Sequence, residues 1–124
     1  MSAVPKNLLY TKEHEWALIE KDVATVGITD HAQRELGDIV FVELPKVGAK
    51  VKAGEIFGTI EAVKTVAELY APVAGTVTEV NTSLATDAGV VNQDPYGKGW
   101  ILKVKVEKTD NDELMSAEEY EKLI

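Results

Sequence analysis

The 124-residue chain has no cysteine, which excludes disulfides, thiolate nucleophiles and zinc–thiolate sites. It has one arginine, Arg34, and a formal net charge of −8, so the clustered basic side chains that drive phosphate binding are missing. Nucleic acid and anionic membrane surfaces are therefore not expected partners. Histidine is limited to His14 and His31, and serine to Ser2, Ser83 and Ser116. There is no glycine-rich phosphate loop and no His-Glu-x-x-His spacing, so neither a catalytic constellation nor a metal site is expected. No apolar run approaches the roughly 20 residues needed to cross a bilayer. Met1 to Tyr10 also lacks the basic start and apolar stretch of a leader segment, so a soluble protein is expected.

What is present is an ordinary globular balance, 45% hydrophobic and 27% charged. The length suits one domain, residues 1–124, and is too short for a catalytic domain with a separate lid. The chain centres on Phe57 to Asn81, reading FGTIEAVKTVAELYAPVAGTVTEVN. Two strand-like runs, Gly58 to Ala62 and Val66 to Tyr70, flank Val63, Lys64 and Thr65, which places Lys64 on a predicted hairpin tip. The turn itself contains no Gly, Asn, Asp or Pro, the usual residues of a two-residue hairpin loop. Turns at Ala53-Gly54 and Ala74-Gly75 stand on either side of the tip and suggest an internal two-fold.

Along the chain, Met1 to Asn7 read as a loose lead-in and Leu8 to Tyr10 as a short extended start. Ala17 to Ile19 and Val23 to Ile28, joined by a turn at Glu20 to Asp22, predict an antiparallel pair. Thr29 is a candidate cap for a short helix over Asp30 to Leu36, ended by Gly37 in a left-handed conformation, with Ala32 and Leu36 inward and Asp30, Gln33 and Arg34 in water. Ile39 to Leu44 follows as a strand stopped by Pro45, then short strands at Lys50 to Lys52, Glu55 to Ala62, Val66 to Tyr70 and Thr76 to Val80. This cadence predicts a mainly β sandwich or barrel. Asn81 to Gly99 reads as a long loop with a turn at Asp94 to Gly97. Trp100 to Val106 then alternates as a core-edge strand with Trp100, Leu102, Val104 and Val106 on one face. Leu114 and Met115 suggest a short turn. Ser116 and Glu119 form a capping box for a terminal helix docked through Tyr120, Leu123 and Ile124.

His14 stands between Glu13 and Glu15. In an extended strand, alternation sends the two carboxylates to one face and the imidazole to the other, which argues against a concerted acid–base group. Eleven other lysines accompany Lys64, and only its place on the tip distinguishes it.

The motifs that decide the reading lie between Tyr10 and Trp100. They are His14-Glu15-Trp16, Val23 to Gln33, Leu36 to Pro45, Glu61-Ala62-Val63-Lys64, Tyr70 to Gly75, Glu79-Val80-Asn81, Asn92 to Gly97, and Gly99-Trp100. In order and content they closely resemble the H-protein family of the glycine cleavage system, which carries lipoate. The resemblance implies a barrel-sandwich hybrid of the lipoyl-domain type with a short helix near residues 30–36 and, over residues 111–124, a C-terminal helical extension packed on it. It implies that Lys64 carries lipoate through an amide and that Glu13, Glu15 and Glu68 line a cleft for the arm. The family's cycle implies four partners: a pyridoxal-phosphate glycine decarboxylase, a tetrahydrofolate-dependent aminomethyltransferase, an FAD-containing dihydrolipoyl dehydrogenase, and a lipoyl ligase or transferase. The chain itself would be a shuttling substrate, monomeric and, with no transit-like segment, bacterial and cytoplasmic. Three positions depart from the commonest family pattern. Ala62 stands where Ser is frequent, Glu13 where a small hydroxyl residue is common, and Glu68 where Asp is usual. Biotin carriers fit less well, because methionines flank their acceptor lysine where Val63 and Thr65 stand here.

Overall fold

The computed structural model describes residues 3–107 and 114–124. Among the described residues nine strands form two antiparallel sheets: β1 (Leu9–Tyr10), β2 (Glu15–Glu20), β3 (Val23–Ile28), β4 (Ile39–Glu43), β5 (Lys50–Val51), β6 (Ile56–Ala62), β7 (Val66–Tyr70), β8 (Gly75–Val80) and β9 (Leu102–Val106). One sheet runs β1-β2-β3-β9-β8-β5 and the other β4-β6-β7. Their facing sides share a core that includes Val26, Val42, Ile60, Leu69, Val77 and Val104. This is the barrel-sandwich hybrid that the family resemblance implied. The two-fold about the tip is visible in the pairing, β6 with β7 and β5 with β8. The first flanking turn meets the residue after β7: Gly54 N–H donates to Ala71 O and Ala71 N–H to Glu55 O, both at 2.8 Å.

Helix α1 (Asp30–Leu36) is capped as its sequence suggests, with Thr29 Oγ1 accepting from Ala32 N–H at 3.1 Å. Gly37 ends it with φ 79° and ψ −153°, a positive-φ conformation away from the expected left-handed helical one and open mainly to glycine. Asp30 is not in water as expected. It accepts from Ala3 N–H, Gln33 Nε2 and Arg34 Nε, and its side chain is only 15% exposed. The same contact, with Tyr96 Oη donating to Ala3 O at 2.6 Å, ties down the start of the described chain, so residues 3–7 are not a loose lead-in.

The segment after Asn81 is not one long loop. It holds a 3-10 turn at Thr82–Ala85 and a short helix, α2 (Val90–Gln93), nucleated on buried Leu84 and Val91. These apolar residues lie too far apart for a pattern that sequence alone would reveal. The Asp94 turn forms as expected, with Gly97 N–H donating to Asp94 O at 3.1 Å. Strand β9 lies inside its sheet between β3 and β8 rather than at an edge. Trp100 precedes it and packs against the second cluster, which holds Tyr10 and Trp16, whereas Leu102 and Val104 belong to the main core.

At the C-terminus, Met115 bridges to Tyr10 through two backbone hydrogen bonds instead of making the expected turn. The capping box then starts α3 (Ala117–Leu123), which docks through Ala117 and Tyr120, while Leu123 and Ile124 stay exposed. The expected beginning of the extension at residue 111 lies outside the described residues. Among the described residues no helix is long and apolar enough to cross a membrane.

A β-carbon at Gly75 in β8 would stand 2.0 Å from the Lys105 carbonyl oxygen, a backbone atom that cannot swing aside. At Gly89 the nearest atom to such a carbon is 3.8 Å away and φ is −63°. Gly75→Ala should therefore cost about 1–3 kcal/mol, as overpacking does. Gly89→Ala should leave stability unchanged or raise it by up to about 1 kcal/mol. Urea unfolding midpoints of the two variants check the contrast.

Candidate functional site

Lys64 sits on the β6–β7 tip as its sequence setting suggests. Ala62 N–H donates to Thr65 O at 2.8 Å, and Val63 and Lys64 form the two-residue end. Neither has positive φ, which explains how the turn forms without glycine or asparagine. The tip is not free: Val63 N–H donates to Asp38 O at 2.9 Å, and a β-carbon at Gly37 would lie 3.4 Å from Lys64 Cε. The lysine stem thus lies on the backbone of the connector between α1 and β4, and the residue as a whole remains exposed. Asn92 of α2 secures that connector. Its Nδ2 donates to Gly37 O at 2.7 Å and to Gln33 Oε1, while Oδ1 accepts from Ile39 N–H at 2.9 Å.

Beside the connector a cleft of about 240 Å³ opens between α1 and β7. Its walls are apolar, from Ile28, Ala32, Leu36, Ile60, Ala67 and Leu69. Its polar groups are Glu13, His14, Glu15, His31, Glu35 and Glu68. All three glutamates expected from the resemblance therefore border one cleft, and they divide sharply in environment. Glu13 and Glu68 are exposed, with Tyr70 Oη at 3.5 Å from Glu68 Oε1. Glu15 is only 2% exposed and so is not a solvated edge residue.

Glu15 is held at both oxygens. Oε1 accepts from Thr11 Oγ1 at 2.7 Å and Oε2 accepts from Tyr70 N–H at 3.0 Å. Burial pushes its carboxyl up from an ordinary 4.5 to about 8, although the bonds from Tyr70 and Thr11 pull the other way. A cation brought into the cleft would favour the ionised form of this group and be held by it.

His14 does not lie in an extended strand. Residues Thr11 to His14 form a turn closed by His14 N–H donating to Thr11 O at 3.1 Å, and His14 has φ 69°. This backbone reversal breaks the expected alternation, so the imidazole and both neighbouring carboxylates border the same cleft. The ring lies 4.8 Å from that of His31, and Nδ1 is 2.8 Å from Tyr120 Oη. Burial and the neighbouring His31 lower its basicity, with Glu13 and Glu35 opposing them.

His31, Glu35 and Thr11 were not legible as parts of the site. The i, i+4 spacing of His31 and Glu35 does place them on one helical face, where Nε2 and Oε1 stand 3.7 Å apart.

The elevated Glu15 group makes stability depend on pH. The folded state holds its proton to about pH 8 and the unfolded chain releases it near 4.5, so this contribution is fully present below 4.5 and is lost as pH rises through 8. Glu15→Gln should remove that dependence. The stability difference, wild type minus variant, should fall steadily from pH 4.5 to pH 8 in urea unfolding, whereas a flat difference would contradict the buried, protonated state.

The family model described as "Glycine cleavage H-protein" matches residues 8–124. A glycine cleavage system H protein of Rubrobacter xylanophilus is 62% identical over 120 residues, covering 97% of this chain and 94% of that one. The one from Herpetosiphon aurantiacus is 56% identical over 124 residues, covering 100% and 95%. The crystal structure of a glycine cleavage system H protein from Mycobacterium marinum superposes with a TM-score of 0.89 at 42% identity, covering 94% of this chain and 95% of that one. With sequence and fold in agreement, the chain belongs to the glycine cleavage H-protein family.

Proposed function

We propose that residues 1–124 act as one lipoyl-carrier unit of the glycine cleavage system, with lipoate in amide linkage on Lys64. The observation that carries this reading is the placement of the lysine. Its stem lies on Gly37, one residue beyond Leu36, and Leu36 is a wall of the cleft that ends in buried and exposed carboxylates.

The residues present fit the group. Lys64 is exposed for acylation, which replaces a charged amine by a neutral amide. The apolar walls from Ala32, Leu36, Ala67 and Leu69 suit an aliphatic arm, and Glu13, Glu15 and Glu68 suit an ammonium at its end. When attached, lipoate supplies the disulfide that receives the aminomethyl group. The chain's own part is to seat the arm, exclude water from its end and hold the amine by carboxylate acceptors. The longer Glu68, where the family usually has Asp, reaches the cleft from the open edge of β7.

In this role the protein is a substrate that moves between enzymes rather than a catalyst. Its partners are glycine decarboxylase with pyridoxal phosphate, aminomethyltransferase with tetrahydrofolate, dihydrolipoyl dehydrogenase with FAD, and the lipoyl ligase or transferase that loads it. The bacterial sources of its relatives support a cytoplasmic setting, and the family resemblance supports a monomer.

Incubation with a lipoate ligase, ATP and lipoate should add one lipoyl increment to the intact mass of the wild type and none to Lys64→Arg. A wild type that stays unmodified, or a variant that is modified equally well, would remove Lys64 as the attachment site.

A further inference from the structure

The C-terminal helix is joined to His14, a cleft residue, through one hydroxyl group. Tyr120 is fully buried, and its ring stacks on Tyr10 with centroids 4.7 Å and planes 8° apart. Its Oη stands 2.8 Å from Thr29 Oγ1 and 2.8 Å from His14 Nδ1. Three polar atoms are thus joined in a row, and proton counting fixes the direction of the row.

Thr29 is also fully buried, and its Oγ1 accepts the Ala32 N–H at the start of α1. Among the described residues the acceptor within reach of its own hydroxyl proton is Tyr120 Oη. If Thr29 donates to the phenol, the phenol proton passes on to His14 Nδ1, which must be bare to accept it. In the opposite order Nδ1–H donates to the phenol and the phenol to Thr29, which then accepts twice and leaves its proton unpaired in the core. An unpaired buried donor is a costly arrangement, so the first order wins. Burial also pushes the Tyr120 phenol up to about 12, so it keeps the proton that it donates.

We infer that the row Thr29, Tyr120, His14 holds His14 as its Nε2–H tautomer and makes it a fixed hydrogen-bond donor in the cleft, suited to the sulfur end of the arm. Glu13 and Glu68, and Glu15 once an incoming cation ionises it, already supply acceptors for an ammonium. With Nδ1 engaged by Tyr120, the remaining nitrogen of His14 is the one left for a guest, and an N–H there pairs with a thiol or thiolate sulfur rather than with an ammonium. Tyr120 is then a positioning residue: it touches no part of the arm and acts through His14. The use of the donor rests on the carrier reading, whereas the tautomer does not.

The test is a long-range proton–nitrogen correlation spectrum of the two histidines at neutral pH, recorded on the unmodified protein and assigned with His31→Gln. His14 should show a protonated Nε2 and a bare Nδ1. Thr29→Ser, which keeps the hydroxyl, should preserve that pattern. Tyr120→Phe, which keeps the stacked ring but removes the phenol, should release His14 to a mixture of tautomers. The wild-type spectrum decides the tautomer even if a variant folds poorly, and a bare Nε2 there overturns the inference.

The spectrum is then repeated on protein whose mass shows the lipoyl group, before and after reduction of the arm. A shift of the His14 Nε2–H signal on reduction is expected. No shift in modified protein overturns the donor role and leaves the carrier reading intact. Failure of Lys64 to accept lipoate overturns the carrier reading instead, and the tautomer result is unaffected.

Discussion

The buried carboxyl of Glu15 is the point at which the two sheets are fastened beside the cleft. It lies at the start of β2 in the six-stranded sheet, and its Oε2 takes the Tyr70 N–H at the end of β7 in the three-stranded one. Antiparallel pairing leaves that N–H pointing away from β6, so without Glu15 it would be an unpaired donor on an open edge. Thr11 completes the grip from the preceding turn and also accepts the N–H groups of Glu13 and Glu15. The turn forces His14 to positive φ, and that conformation brings the imidazole to the same cleft as its acidic neighbours. One desolvated carboxyl thus sets the edge of β7, the turn before β2 and the polar end of the cleft together.

The rest of the site is held by elements remote in sequence. Tyr120 ties α3 to the cap of α1 and to His14, while Asn92 ties α2 to the connector on which Lys64 lies. The cleft wall and the lysine seat are therefore consecutive stretches of backbone, Asp30 to Leu36 and then Gly37 to Ile39, each braced from a different direction. Bracing of this kind suits a carrier, since an arm must leave and re-enter one unchanged groove at each encounter.

Local rules made much of the fold legible. The caps at Thr29 and Ser116, the antiparallel pair within residues 17–28 and the turn at Asp94 follow from residue types and short spacings. The structure forms each of them, with the first strand of the pair beginning earlier, at Glu15. Lys64 and the three glutamates were singled out by the family's motifs, not by periodicity, because a lysine on a tip and a glutamate on a strand look alike wherever they occur. What was hidden depended on distance along the chain. Tyr120 to Thr29 spans 91 residues and Asn92 to Ile39 spans 53, and no local pattern encodes such bonds. The burial of Glu15 was hidden for the same reason, since its partner Tyr70 lies 55 residues away. Leu123 and Ile124 mark the opposite error: helical spacing grouped them with Tyr120, but the helix meets the sheet through Ala117 and Tyr120 alone.

The central claim is that the cleft shelters an aminomethyl group carried from Lys64. Its most direct measurement is the rate at which lipoylated protein, loaded with glycine by a glycine decarboxylase and then separated from it, loses ammonia to water. The reference is the same adduct on a short lipoyl-lysine peptide. The account predicts a much slower loss from the folded protein, with the difference abolished in urea. Equal rates from protein and peptide would contradict it, and would leave the cleft without a part in carrying the group.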